Sequence, residues 1–81
     1  MTVVTIYSRP GCHLCEAMRT LVARAVDRMP AGTVSVTVVD ISTDAALERA
    51  YGHDIPVLLI DGRKAAKHRI REDELWRKLR A

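Results

Sequence analysis

Both cysteines of the chain lie in one stretch, Ser8-Arg9-Pro10-Gly11-Cys12-His13-Leu14-Cys15, where an extended segment gives way to a helical one. Before it, Val3-Val4-Thr5-Ile6-Tyr7 is apolar and rich in β-branched residues, which suit a pleated strand. After it, Leu14, Cys15, Met18, Leu21, Val22, Ala25, Val26 and Met29 recur at helical spacing. Pro10-Gly11 supplies turn chemistry between the two. A C-x-x-C pair at such a junction reads as a redox dithiol.

Position gives the two sulfurs different roles. Residues three apart on a helix hold their Cβ atoms about 5–6 Å apart, whereas a disulfide wants roughly 3.5–4.5 Å. The Cys12–Cys15 bond is therefore reachable if Cys12 sits at the helix mouth, where the backbone can adjust. There it faces solvent and the unpaired N–H groups of the first turn. A helix N-terminus stabilises an anion by about 0.3–1 kcal/mol when exposed and up to about 2 when partly buried. One pKa unit is about 1.4 kcal/mol, so the helix alone can lower a thiol from about 8.5 towards 7. Arg9 and His13 are candidates to lower it further. Cys15 shares the apolar stripe and should be more buried and less acidic. Cys12 is the expected nucleophile and Cys15 the resolving thiol. As a staple the bond would do little: closing four residues contributes only about 2 kcal/mol, against about 4.7 for a loop of a hundred.

The rest of the chain predicts a β-α-β-α-β-β-α order. The first helix should run from about Leu14 to Met29, ended by Pro30-Ala31-Gly32. Thr33 to Ile41 alternates as a strand and makes a parallel pair with the first. Asp40 closes it on the edge that carries the cysteines, placed for local capping more than for tuning the site. Ser42-Thr43-Asp44 offers caps for a short helix, Ala45 to Tyr51, burying Leu47, Ala50 and Tyr51. Gly52 stands where a C-terminal glycine is wanted. Val57-Leu58-Leu59-Ile60 is apolar on both faces, as a buried strand should be, with Pro56 at its start. Asp61-Gly62 is a hairpin signal, leading to an exposed basic edge strand from about Arg63 to Ile70. A last helix spans about Glu72 to Leu79, acidic at its start and basic at its end.

At 81 residues, 48% of them hydrophobic, the chain is sized for one globular domain over 1–81, near the lower limit for a single core. With no Phe, that core falls to Val, Ile, Leu, Ala and Met. The net charge of +3 reflects basic residues gathered late, from Arg63 to Arg80. No aromatic platform interleaves with them, so a solvated basic face is expected rather than a nucleic-acid footprint. No apolar run approaches the roughly 20 residues needed to span a bilayer. The opening Met1-Thr2-Val3-Val4 lacks a secretory pattern. The expectation is a soluble, cytoplasmic monomer, in a compartment where C-x-x-C is catalytic more often than structural.

Thr5-Ile6-Tyr7-Ser8-Arg9-Pro10-Gly11-Cys12-His13-Leu14-Cys15, with Ile55-Pro56-Val57 and Asp61-Gly62 downstream, resembles the glutaredoxin-like branch of the thioredoxin superfamily. The resemblance implies an α/β thioredoxin-like fold of the glutaredoxin type, a four-stranded mixed sheet flanked by three helices. It implies a cis bond before Pro56, which lies against the dithiol. It implies that the backbone before this proline pairs with substrate, so Ile55 is carried over as a contact. Two departures stand out. His13-Leu14 replaces the Pro-Tyr of glutathione-using members, and Ala65-Ala66-Lys67-His68 stands where they carry Gly-Gly and an acidic residue. No residue is transferred for glutathione, which stays a candidate reductant against which these departures count.

Three functions follow. The first is thiol–disulfide exchange with protein or glutathione mixed disulfides, with Cys12 and Cys15 catalytic and Arg9, Pro10, His13, Ile55 and Pro56 binding substrate or tuning the site. Its partners are a disulfide-containing protein and a thiol or reductase electron donor, with no bound cofactor. The second is metal or iron–sulfur binding, for which Cys12, Cys15 and His13 fall short of the four ligands of a closed structural zinc site. The third is a non-catalytic binding module that uses the basic surface.

Overall fold

A computed structural model describes residues 1–80. Its elements are β1 (Thr2–Ser8), α1 (His13–Asp27), β2 (Val34–Asp40), a 3-10 turn (Ile41–Thr43), α2 (Ala45–Tyr51), β3 (Val57–Ile60), β4 (Arg63–Lys67) and α3 (Glu72–Arg80). The strands form one mixed sheet in the order β2-β1-β3-β4. β1 runs parallel to β2 and antiparallel to β3, and β3 runs antiparallel to β4.

Period-two alternation decides which residues enter the core. Val4 and Ile6 of β1 and Leu58 of β3 point to one face, where Met18, Val22 and Ala25 of α1 and Leu75 and Leu79 of α3 cover them. This apolar layer fixes α1 against β1, and therefore fixes the junction that carries the cysteines. The alternation of β2 meets a different outcome. Val36 and Val38 stand beside Val4 and Ile6 in the parallel register, yet remain 41% and 39% exposed. β2 is the sheet edge, and α1 leaves an open groove over it, lined by Val36, Val38, Ala23 and Val26.

Local signals set the boundaries. Asp44 caps α2, its carboxylate accepting from the N–H groups of Ala46 and Leu47. Asp40 accepts from the N–H and hydroxyl of Ser42 and so starts the 3-10 turn; those bonds, led by the hydroxyl, hold its carboxyl below the usual range. Asp61 and Gly62 both adopt positive φ, 52° and 81°, as a tight hairpin with a right-handed twist requires. α3 places Glu72, Asp73 and Glu74 in its first turn and Arg77, Lys78 and Arg80 in its last.

Three expectations are corrected. β4 ends at Lys67 rather than Ile70, because His68 turns into the left-handed region at φ 66°. α1 closes at Asp27, ahead of Met29, and Ala50 of α2 is exposed. Gly52 does cap α2, as expected, but at φ −54°, an ordinary right-handed value, so left-handed freedom is not why glycine stands there. The left-handed backbone of His68 does suggest a test. Left-handed geometry costs a side-chain-bearing residue about 1–2 kcal/mol, partly offset by the chain entropy a glycine loses. His68→Gly should raise stability by up to about 1 kcal/mol in urea unfolding, and His68→Val should lower it.

Candidate functional site

The dithiol forms where β1 hands over to α1. Gly11 adopts φ 77°, with open space where its Cβ would be, so the requirement there is backbone conformation alone. Gly11→Ala should cost about 1 kcal/mol in the same measurement. The left-handed step at Gly11 delivers Cys12 to the N-cap of α1, in extended geometry at φ −94°, ψ 111°. Its Sγ accepts from the Cys15 N–H at 3.1 Å, the place a Ser or Asp oxygen takes at an ordinary helix start. Its carbonyl accepts the Glu16 N–H, the first bond of the helix.

Cys12 and Cys15 are joined as a disulfide, with Cα atoms 5.2 Å apart. Cys12 is half-buried, while Cys15 is 2% exposed beneath the first turn. The same cap that orders the helix therefore leaves one sulfur accessible and the other enclosed. In the reduced state that sulfur would face a backbone donor and the positive end of α1.

The opposite wall is the approach to β3. Tyr7 pairs with Val57, which brings the chain leaving β1 beside the chain entering β3 through Ile55 and Pro56. The Ile55–Pro56 bond is cis, as the family resemblance implied. Pro56 is buried and Ile55 half-buried, and the Pro56 carbonyl accepts the His68 N–H at 2.8 Å. This bond places the segment after β4 at the site. His68, Arg69 and Ile70 line a small hollow with Leu14, Ala17, Met18 and Leu21 of α1.

Pro10 is exposed and lines a shallow hollow with Ser8, Arg9, Cys15 and Asp40. His13 is exposed as the first residue of α1. Leu14, expected on the apolar stripe, is 36% exposed and lines the hollow shared with His68 and Ile70. Arg9 is not a free cation directed at the thiol: its guanidinium pairs with the Glu48 carboxylate of α2. Sequence reasoning missed Glu48 and His68. Glu48 lies 39 residues from Arg9, beyond any local spacing rule. His68 belongs to the stretch set against the family's glycines, but no local signal marks its left-handed turn. Among the described residues, no three His, Cys, Asp or Glu side chains gather as a metal site. None of the described helices is long and apolar enough to cross a membrane.

A family model described as a Glutaredoxin-like domain (DUF836) matches residues 3–80. The chain belongs to this glutaredoxin-like family. A glutaredoxin-like protein from Dictyostelium discoideum is 30% identical over 76 residues, covering 90% of this chain and 70% of that protein. Among solved structures, a structural genomics target from X. campestris is 36% identical with a TM-score of 0.77, covering 95% of both chains. A mutant thioredoxin from Halobacterium salinarum, 23% identical, shares the fold at a TM-score of 0.64 over 95% of this chain and 70% of its own. This glutaredoxin-like domain thus has the thioredoxin-like α/β fold. Membership of the family and the paired cysteines support a redox role.

Proposed function

We propose that this glutaredoxin-like domain is a thiol–disulfide oxidoreductase acting on protein or glutathione mixed disulfides. The observation that carries the reading is the asymmetry of the pair, an accessible Cys12 at the N-cap of α1 and a buried Cys15 one turn below it. In the reduced protein the Cys12 thiolate attacks one sulfur of a substrate disulfide. That S–S bond breaks, a mixed disulfide forms, and the departing thiolate takes up a proton. Cys15, deprotonated, then attacks Cys12 Sγ, releasing the second substrate thiolate and leaving the Cys12–Cys15 disulfide. Two electrons pass to the substrate, and an external thiol or a reductase returns them to the pair.

The substrate segment lies against Ile55 and Pro56, with Leu14 and His13 on the facing side and Pro10 at the rim. A cytoplasmic monomer with a part in electron transport and cell redox homeostasis fits this chemistry. Glutathione as the donor has less support, because the bulge at Ala65 and the left-handed His68 occupy the stretch where glutathione-using relatives carry glycines.

Alkylation of the reduced protein across pH tests the assignment of the sulfurs. Cys12 should react first, with a midpoint lowered below that of a free thiol by the helix N-terminus. Preferential alkylation of Cys15, or a Cys12 midpoint at or above the free-thiol value, would contradict it.

A further inference from the structure

We infer that Arg9 is a positioning residue: its ion pair with Glu48 across Gly52 ties the loop carrying Cys12 to the helix that leads to Pro56. The inference rests on the exchange reading, in which these two loops form the walls that receive substrate. Residues 9–12 leave β1 and residues 52–56 enter β3 at the same end of the sheet. Tyr7↔Val57 is the last rung of the β1–β3 ladder, so beyond it backbone pairing no longer fixes the spacing of the loops.

Side chains take over from there. The Tyr7 and Tyr51 rings meet with centroids 4.7 Å apart, holding the end of α2 against β1. One step further out, the Arg9 guanidinium donates to the Glu48 carboxylate. Gly52 is what leaves room for this contact. Its φ of −54° suits any residue, but a Cβ there would lie 2.5 Å from the Glu48 carbonyl oxygen and 2.9 Å from Glu48 Oε1. It would also come within 3.4 Å of Arg9 Nη2. A side chain at this position therefore displaces the carboxylate that Arg9 holds.

The far side of the same loop is held from the end of β4 and the residue after it, by Lys67 with Asp54 at 3.8 Å and by the His68 N–H on the Pro56 carbonyl. Of these charged ties, the Arg9–Glu48 pair is the one that reaches the dithiol segment. It also occupies the charge of Arg9, which is why Arg9 acts on loop geometry rather than directly on the Cys12 thiol.

Glu48→Gln keeps the shape of the side chain and removes its charge, and Arg9→Glu/Glu48→Arg reverses the pair. With a disulfide-containing peptide as substrate, Glu48→Gln should raise KM by up to about fivefold, as suits a partly exposed pair. At a pH where the Cys12 thiol is fully ionised, its alkylation rate in the reduced protein should not change, and the reversed pair should restore KM. Hydrogen exchange gives a readout that needs no turnover. In Glu48→Gln and in Gly52→Ala, the bonded amides of Cys15 and Glu16 at the Cys12 cap and that of Asp54 on the Tyr51 carbonyl should exchange faster together, and the reversed pair should slow them again. Unchanged KM with unchanged exchange overturns the inference, as does a reversed pair that restores neither. Absence of turnover by the unmodified protein would instead count against the exchange reading, while the exchange rates would still decide the tie.

Discussion

Cys15→Ser is expected to accumulate a covalent mixed disulfide between Cys12 and its substrate, and Cys12→Ser to accumulate none. The reason lies in the order of the two attacks. Cys12 is the accessible sulfur, and its Sγ already accepts a backbone N–H, so it can take the first step alone. Cys15 is 2% exposed beneath it and reaches only the sulfur of Cys12, so removing it stops the reaction after the first bond has formed. On the proposed mechanism, loss of Cys12 removes the nucleophile, and turnover should fall by on the order of 10³-fold or more. Mass spectrometry of each variant after incubation with a disulfide substrate reads the result. Trapping by both variants or by neither would contradict the roles assigned here.

Leu58→Ala should destabilise the domain by about 2–5 kcal/mol, the range for truncating a fully buried leucine. Leu58 lies on β3 between Ile6 and Ala66 in the sheet and is sealed by α1 and α3. A domain this small has a total stability near the low end of about 5–15 kcal/mol, so the substitution removes a large fraction of it. The contrasting site is Val36, apolar and on the same face of the sheet, but 41% exposed at its edge. Val36→Ala should stay within about 0.5–1 kcal/mol. Urea unfolding of the two variants compares them directly. Equal losses would mean that the β2 edge is as well packed as the centre, against the open groove described above.

These contrasts show what the sequence could disclose. Features set by neighbours a few residues apart were legible. The Asp61-Gly62 turn, the Asp44 cap, the alternation of β1 and the placement of Cys12 before the apolar stripe each need only local chemistry. The cis bond at Pro56 was legible only through family resemblance, since composition carries no mark of it. What sequence could not disclose depends on which elements lie side by side. Val36 and Val38 alternate as core residues do, and only the position of β2 at the edge leaves them exposed. Gly52 reads as a helix C-cap and is one, but what requires glycine there is the space claimed by Glu48 and Arg9. Arg9 itself reads as a cation beside a thiol, until a carboxylate 39 residues away takes up its charge.

The measurement that bears most directly on the central claim is electron transfer from the fully reduced domain to a protein disulfide without oxygen, with thiols on both partners mapped by mass. Thiol–disulfide exchange predicts one substrate disulfide reduced for each Cys12–Cys15 disulfide formed, and none with folded Cys12→Ser. A folded domain that keeps both thiols while protein and glutathione mixed disulfides stay oxidised would contradict it.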